Sequence, residues 1–177
     1  MKAIRLKAHG GPEALTLVDV EPTPPGPQEL LVRHRAIGVN FIDTYFRSGL
    51  YKTQLPSGLG QEAAGVVEAV GAAVTRFKPG DRVAYCLGPL GAYADMHAVD
   101  QSRAARLPDA IAFEIGASAM LKGATARYLL RKTFRVERGH SVLIHAAAGG
   151  VGQIAVLWDK LLDARVIAAD GEESRRS

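Results

Sequence analysis

Cysteine is almost absent from this chain: Cys86 stands alone in 177 residues. A single thiol closes no internal disulfide and builds no multi-cysteine zinc cage. Long apolar runs are missing too, since none approaches the roughly 18 residues that a membrane span needs. The opening residues 1–15 have no apolar core of the kind a secretion signal requires. The expectation is a cytoplasmic protein with no membrane partner. Concentrated positive charge is likewise lacking. The net charge is +4, the lysines and arginines are scattered, and the densest groups are Arg131-Lys132 and Arg175-Arg176. A nucleic-acid reader carries a basic stripe with interleaved aromatics, and aromatics are only 6% here, so nucleic acid is not an expected partner. The small excess of positive charge still suits an anionic small molecule, which meets only a local field. With 47% hydrophobic and 23% charged residues, what remains is an ordinary globular composition. The length suits one full domain, or one domain and part of another.

The first 100 residues read as short strands between turns. Residues 1–6 and 15–20 alternate in a strand-like way. Residues 21–27, with four prolines, then forbid regular structure, because proline fixes φ and lacks a ladder N–H. Residues 30–39 resume a strand. Residues 63–70 are apolar and punctuated by Gly65 and Gly71, suiting a buried, bent strand. Pro79-Gly80 places a turn directly before another strand. Many short strands with such turns predict a small barrel or sandwich. After Pro108 the texture changes. Residues 113–121 and 124–133 carry alanine and leucine at helical spacing, and residues 138–140 read as a turn. Residues 141–148 resemble a buried parallel strand. Val151, Ile154, Ala155, Trp158, Leu161 and Leu162 then repeat as one buried helix face, and residues 165–169 form a second apolar strand. Strand, glycine turn, helix and strand make a βαβ unit.

Residues 147–152 occupy the G-x-G-x-x-G frame with Ala147 in the first place. Gly149 lets the backbone approach a pyrophosphate, and Gly152 lets the helix pack closely on the strand. The free N–H groups of the first helical turn then face phosphate oxygens. Ala147 departs from the glycine that normally serves the tight turn. Asp170 ends the next strand about twenty residues on, as a dinucleotide fingerprint expects. The bland alternative is a tight packing turn with no ligand. Asp170 favours a ribose hydroxyl and hence NAD(H). Arg175 and Arg176 suit a 2′-phosphate and hence NADP(H), unless they merely neutralise Glu172 and Glu173 in a solvated loop. Spacing alone leaves that choice open.

Five segments occur in order: 37–45 (IGVNFIDTY), 59–65 (LGQEAAG), 78–83 (KPGDRV), 121–125 (LKGAT) and 145–152 (HAAAGGVG). Together they resemble the zinc-independent quinone oxidoreductase, or zeta-crystallin-like, branch of the medium-chain dehydrogenase/reductase superfamily. The resemblance covers essentially the whole chain. It implies a β-rich GroES-like barrel substrate domain over 1–120, followed over 121–177 by the first βαβ part of an α/β Rossmann domain. It also implies a homo-oligomer that uses NADP(H) to reduce small quinones or related enones by hydride transfer. In the superfamily's zinc alcohol dehydrogenases a cysteine stands where this chain has Asn40 and a histidine where it has Gln61, so no zinc is expected. The resemblance places Asn40 beside nicotinamide and substrate, Tyr45 and Tyr51 on the substrate pocket, and Thr125, after Lys122, at the nicotinamide end. Gly149, Gly150 and Val151 would hold the pyrophosphate and Arg175 the 2′-phosphate. Each has a bland reading beside it: a turn cap for Asn40, edge packing for the two tyrosines, an early-helix cap for Thr125, a solvated charge for Lys122. His34, His97 and His145 are isolated along the chain, and His145 reads as a hydrogen-bonded core histidine.

Members of that branch are much longer, roughly twice the size of a typical single domain. The chain therefore reads as C-terminally truncated, which leaves its own activity open. Asp163 stands where glycine usually ends the helix, and Asp159 interrupts the packed face. Two other readings remain: a non-catalytic GroES-like module that self-associates through an exposed sheet edge, and an NADH-linked alcohol dehydrogenase, supported by Asp170 alone and opposed by Asn40 and Gln61.

Overall fold

A computed structural model describes residues 1–171. They form two compact units, the first over residues 1–120 and the second from Leu121 onward. In the first, β1 (Lys2–Leu6) pairs antiparallel with β2 (Leu15–Asp19). Residues 21–26 carry no regular structure, as their prolines demand. A five-stranded antiparallel sheet follows in the order β6-β3-β4-β5-β7. Its strands are β3 (Glu29–Gly38), β4 (Glu62–Val70), β5 (Arg82–Cys86), β6 (Met96–Asp100) and β7 (Ala104–Arg106). Bridges from Ala3 to Ala94 and from Leu6 to Ser57 tie β1 to the loops around this sheet, curling the unit into a barrel. The interior is filled by Leu30, Val32, Val67, Val83, Tyr85 and Val99.

The bent strand expected at Gly65 has a definite cause. A Cβ there would stand 2.0 Å from the Arg33 carbonyl oxygen, and the β3–β4 register slips between His34 and Ala36. Only a residue without a side chain lets the two backbones approach so closely. Between β3 and β4 the chain forms α1 (Phe41–Ser48), which the strand reading of residues 30–39 did not anticipate. Asn40 caps its start, and Gly49, at φ +83°, ends it.

The expected pair of helical stretches is one helix, α2 (Phe113–Tyr128), continued by a π-helical turn over Leu129–Thr133. Gly123 does not break it, since an isolated helical glycine costs only about 1 kcal/mol against alanine. The βαβ unit forms as read: β8 (Ser141–His145), α3 (Gly150–Leu161) and β9 (Arg165–Ala169), the strands parallel with Leu143 opposite Ile167. Ala126, Leu130, Val136 and Ala155 centre the core of this unit, with Val151, Ile154, Trp158 and Leu162 packed around them.

Three expectations are corrected here. Leu161 is 84% exposed and leaves the buried helix face. β8 stops at His145 and is covered on one face only, so Leu143 is exposed. His145 shares that open face and is exposed, not a core histidine. The physical reason is common to the last two: α3 shields one side of a two-stranded sheet, and alternate side chains point to the other. Asp163, which replaces the usual helix-ending glycine, takes the left-handed conformation itself at φ +56°. Aspartate enters that region more readily than most side chains. No helix among the described residues is long and apolar enough to cross a membrane.

Candidate functional site

The glycine turn begins where β8 ends. Ala146 takes a left-handed conformation at φ +52°, and the Gly149 N–H donates to its carbonyl oxygen at 2.9 Å. The tight reversal is thus carried one residue ahead of the glycine frame, which is how Ala147 can occupy its first place. Gly149 caps α3, and its carbonyl accepts the Gln153 N–H at 2.9 Å. A Cβ on Gly152 would lie 2.3 Å from the Ala146 oxygen, so helix and strand are in contact as the frame requires. A Cβ on Gly150 would meet the Lys122 side chain at 2.7 Å, so the lysine stem lies over the turn. Val151 turns into the core, so the turn can offer a ligand only its backbone there.

Two hollows flank this turn. One, of about 580 Å³, is lined by Leu129, Leu130, Phe134, Val142, Leu143 and the glycines. The other, of about 370 Å³, lies against Ala148, Gln153, Leu157, Ala168 and Asp170. Both Asp170 carboxylate oxygens accept the Ala148 N–H, at 3.0 and 2.9 Å. Asp170 is therefore latched to the turn, and a carboxylate has further lone pairs for a ribose hydroxyl. Thr125 lies in mid-helix, not at an early cap, and its hydroxyl donates to the Leu121 carbonyl at 2.8 Å. Arg175 lies outside the described residues.

In the first unit Asn40 is the centre of a buried polar cluster. Its backbone N–H donates to Asp43 Oδ2 at 2.9 Å and its Nδ2 donates to Glu62 Oε2 at 2.7 Å. The Tyr93 hydroxyl donates to the same Asp43 oxygen at 2.7 Å. Burial, then that bond to a carboxylate, drives the Tyr93 pKa upward. Glu62 has no exposed surface, and Asn40 and Asp43 have almost none. Asp43 and Tyr93 were not singled out from the sequence. Asp43 had a legible signal, the N-x-x-D spacing of a capping box, whereas Tyr93 had none.

Tyr45 and Tyr51 pack with ring centroids 5.3 Å apart and planes tilted by 55°, flanked by Phe41 and Phe46. The edge-packing reading describes their rings. Among the described residues neither hydroxyl has a partner. Gln61 donates to the Gly88 carbonyl at 3.1 Å. Among the described residues no group of three His, Cys, Asp or Glu side chains stands close enough to hold a metal ion.

Residues 26–136 match the alcohol dehydrogenase GroES-like domain family. The chain belongs to that family. Its close homologues include quinone oxidoreductases of the medium-chain dehydrogenase/reductase superfamily. It is 57% identical over 167 residues to the quinone oxidoreductase of Pseudomonas aeruginosa, spanning 94% of this chain and 51% of that protein. The crystal structure of the Pseudomonas syringae quinone oxidoreductase is 56% identical, with a TM-score of 0.93 over 97% of this chain and 54% of its own. The Escherichia coli quinone oxidoreductase complexed with NADPH is 49% identical, with a TM-score of 0.95 over 99% of this chain and 54% of its own. The chain thus spans about half the length of the curated relatives it matches. The GroES-like barrel and the opening βαβ of a Rossmann fold are what this half contains.

Proposed function

We propose that the chain carries the substrate module and the opening part of the dinucleotide site of an NADPH-dependent quinone or enone reductase that works without zinc. The observation that supports this best is the turn at the head of α3. Gly152 is needed there because the backbone of Ala146 and Ala147 leaves no room for a side chain, and a hollow lies on either side of the turn. A dinucleotide laid across that helix N-terminus would set its pyrophosphate on the free first-turn N–H groups of Gly150 and Val151. Lys122 would lend positive charge beside it. Asp170 would accept a ribose hydroxyl, and Arg175 would meet the 2′-phosphate, which favours NADP(H) over NAD(H).

When bound, the reduced nicotinamide supplies the hydride. The chain's own part is to bind, orient and exclude water. Asn40, gripped at its backbone by Asp43 and at its amide by Glu62, is preorganised beside the reacting groups. Thr125 would stand at the nicotinamide end, and since its hydroxyl already donates to the helix backbone, it would offer a ligand an acceptor oxygen or its methyl group. A hydroxyl of Tyr45 or Tyr51 would steady the oxyanion that grows on a quinone oxygen. With asparagine and glutamine at 40 and 61, hydrogen bonds replace a Lewis acid in that role. We read the protein as cytoplasmic and homo-oligomeric, with no nucleic-acid partner. Calorimetric titration of the purified chain with NADPH and with NADH tests the proposal. Saturable binding that favours NADPH supports it, and a folded chain that binds neither removes it.

A second reading is favoured by Leu143 and Ile167, register partners that are 55% and 47% exposed on the open face of β8 and β9. It takes the chain as a non-catalytic GroES-like module that self-associates through the exposed edge of that sheet, beside this open face. A mass in solution well above 18.8 kDa, with no effect of dinucleotide, would favour it.

A further inference from the structure

The face that α3 turns to its unit's core is apolar except at one residue. Asp159 has no exposed surface, and among the described residues both its carboxylate oxygens are buried without a hydrogen-bond partner. The residue before it, Trp158, is the chain's one tryptophan and packs against the core around Ala126, Leu130, Val136 and Ala155.

Among the described residues no neighbouring charge offsets this burial. On α3 itself Lys160 points to solvent. Just beyond it Asp163 stands 3.6 Å from Arg138. Arg165 on β9 and His145 on β8 are exposed. Before β8, Arg135 stands 3.4 Å from Glu137, and His140 Nδ1 accepts the Glu137 N–H. Arg127 on α2 and Lys132 on the π-helical turn are exposed, and Arg131 beside it is half-buried. None of these is hydrogen-bonded or ion-paired to the Asp159 carboxylate. Burial alone acts on it, and it acts to raise the pKa. A carboxylate taken out of water with no partner keeps its proton more readily than one in an unfolded chain.

We propose that Asp159 is a proton switch on the seating of α3. With the proton in place, the helix sits on β8 and β9. With the proton lost, the charge draws that turn of helix toward water and loosens α3, with the glycine turn at its head. The sign follows from linkage. The folded form holds the proton more tightly than the unfolded chain, so the stabilisation is complete below the ordinary aspartate pKa. It is lost as pH rises from there through the folded-state value. The switch does not depend on which ligand the glycine turn takes.

Urea unfolding followed by Trp158 fluorescence, from about pH 4 to about pH 8, tests it in the wild type, Asp159→Asn and Asp159→Leu. The unfolding constant of the wild type should climb relative to the variants by up to about tenfold per pH unit across the window, the linkage for one proton. Asp159→Leu should be the most resistant protein at the alkaline end. Asparagine keeps the shape and leucine keeps the burial, so one folded variant suffices for the comparison. A wild-type profile parallel to that of a folded variant overturns the proposal.

Discussion

A Cβ on Gly152 would stand 2.3 Å from the carbonyl oxygen of Ala146, closer than real side-chain carbons come to anything. The contact welds the end of β8 to the first turn of α3 and sets the shape of the glycine turn. Gly152→Ala should therefore force strand and helix apart and lower the stability of this unit by about 1–3 kcal/mol. Urea unfolding followed by Trp158 fluorescence measures it. Gly123→Ala is the counterpart: nothing lies within 4 Å of a Cβ there, so the change should stabilise α2 by about 0.5–1 kcal/mol.

Gly149 sits in extended backbone at φ −68°, and a Cβ there would meet only the Ala146 oxygen, at 3.1 Å. Gly149→Ala should fold and keep most of its NADPH affinity. Gly149→Asp should fold and lose binding, because a carboxylate would face the pyrophosphate. Equal calorimetric affinities for the two variants would remove the dinucleotide from this turn.

Arg175 is proposed to meet the 2′-phosphate. Arg175→Glu should then weaken NADPH more than NADH, by at least about tenfold, or about 1.4 kcal/mol. Equal losses for the two dinucleotides would take Arg175 out of that role.

Asp43 is buried and depends on Tyr93 for one of its hydrogen bonds. Tyr93→Phe leaves the carboxylate short of that donor and should cost about 1.5–3 kcal/mol, the range for bonds to charged groups. The loss should appear as a lower urea midpoint in far-UV circular dichroism. An unchanged midpoint would mean that the Asn40 cluster does not need this bond.

His34 donates through Nδ1 to the Ala94 carbonyl at 2.7 Å, and its Nε2 accepts the Tyr85 hydroxyl at 2.9 Å. Burial pushes its pKa down from 6.5 to about 4. The folded form thus prefers the neutral ring. Its stabilisation is full above 6.5 and disappears as pH falls through about 4. That amounts to about 3 kcal/mol, lost on the acid side. His34→Gln should flatten the acid limb of the barrel's stability curve. The direction is opposite to that expected at Asp159, so the two variants should move the two limbs separately.

Much of this fold was legible in order along the chain. The alternation of residues 1–6 and 15–20 and the prolines of 21–27 each act on their own neighbourhood, and each leaves a local mark. The βαβ unit was legible for the same reason, since Val151, Ile154, Ala155 and Trp158 repeat at the helical period. α1 was legible but not read: Phe41, Ile42, Tyr45 and Phe46 recur at helical spacing behind the Asn40–Asp43 capping box. Leu161 fits the same helical pattern and lies in solvent, because where the opposing surface ends is not written in the helix that faces it.

The candidate site divides in the same way. The glycine frame, the asparagine at 40 and the glutamine at 61 are properties of residue types at fixed spacings, and sequence alone determined them. It also determined that this chain has a βαβ unit headed by a glycine turn, because the helical period and the missing side chain at Gly152 are properties of the residues themselves. Tertiary structure alone decided that Tyr93 reaches Asp43 across 50 residues of sequence, that Asp170 folds back onto the Ala148 N–H, and that His145 faces solvent while Asp159 does not. Those outcomes depend on which strand edges and helix faces meet. A side chain's partners and its share of water are set by that meeting, which no local pattern of residues encodes.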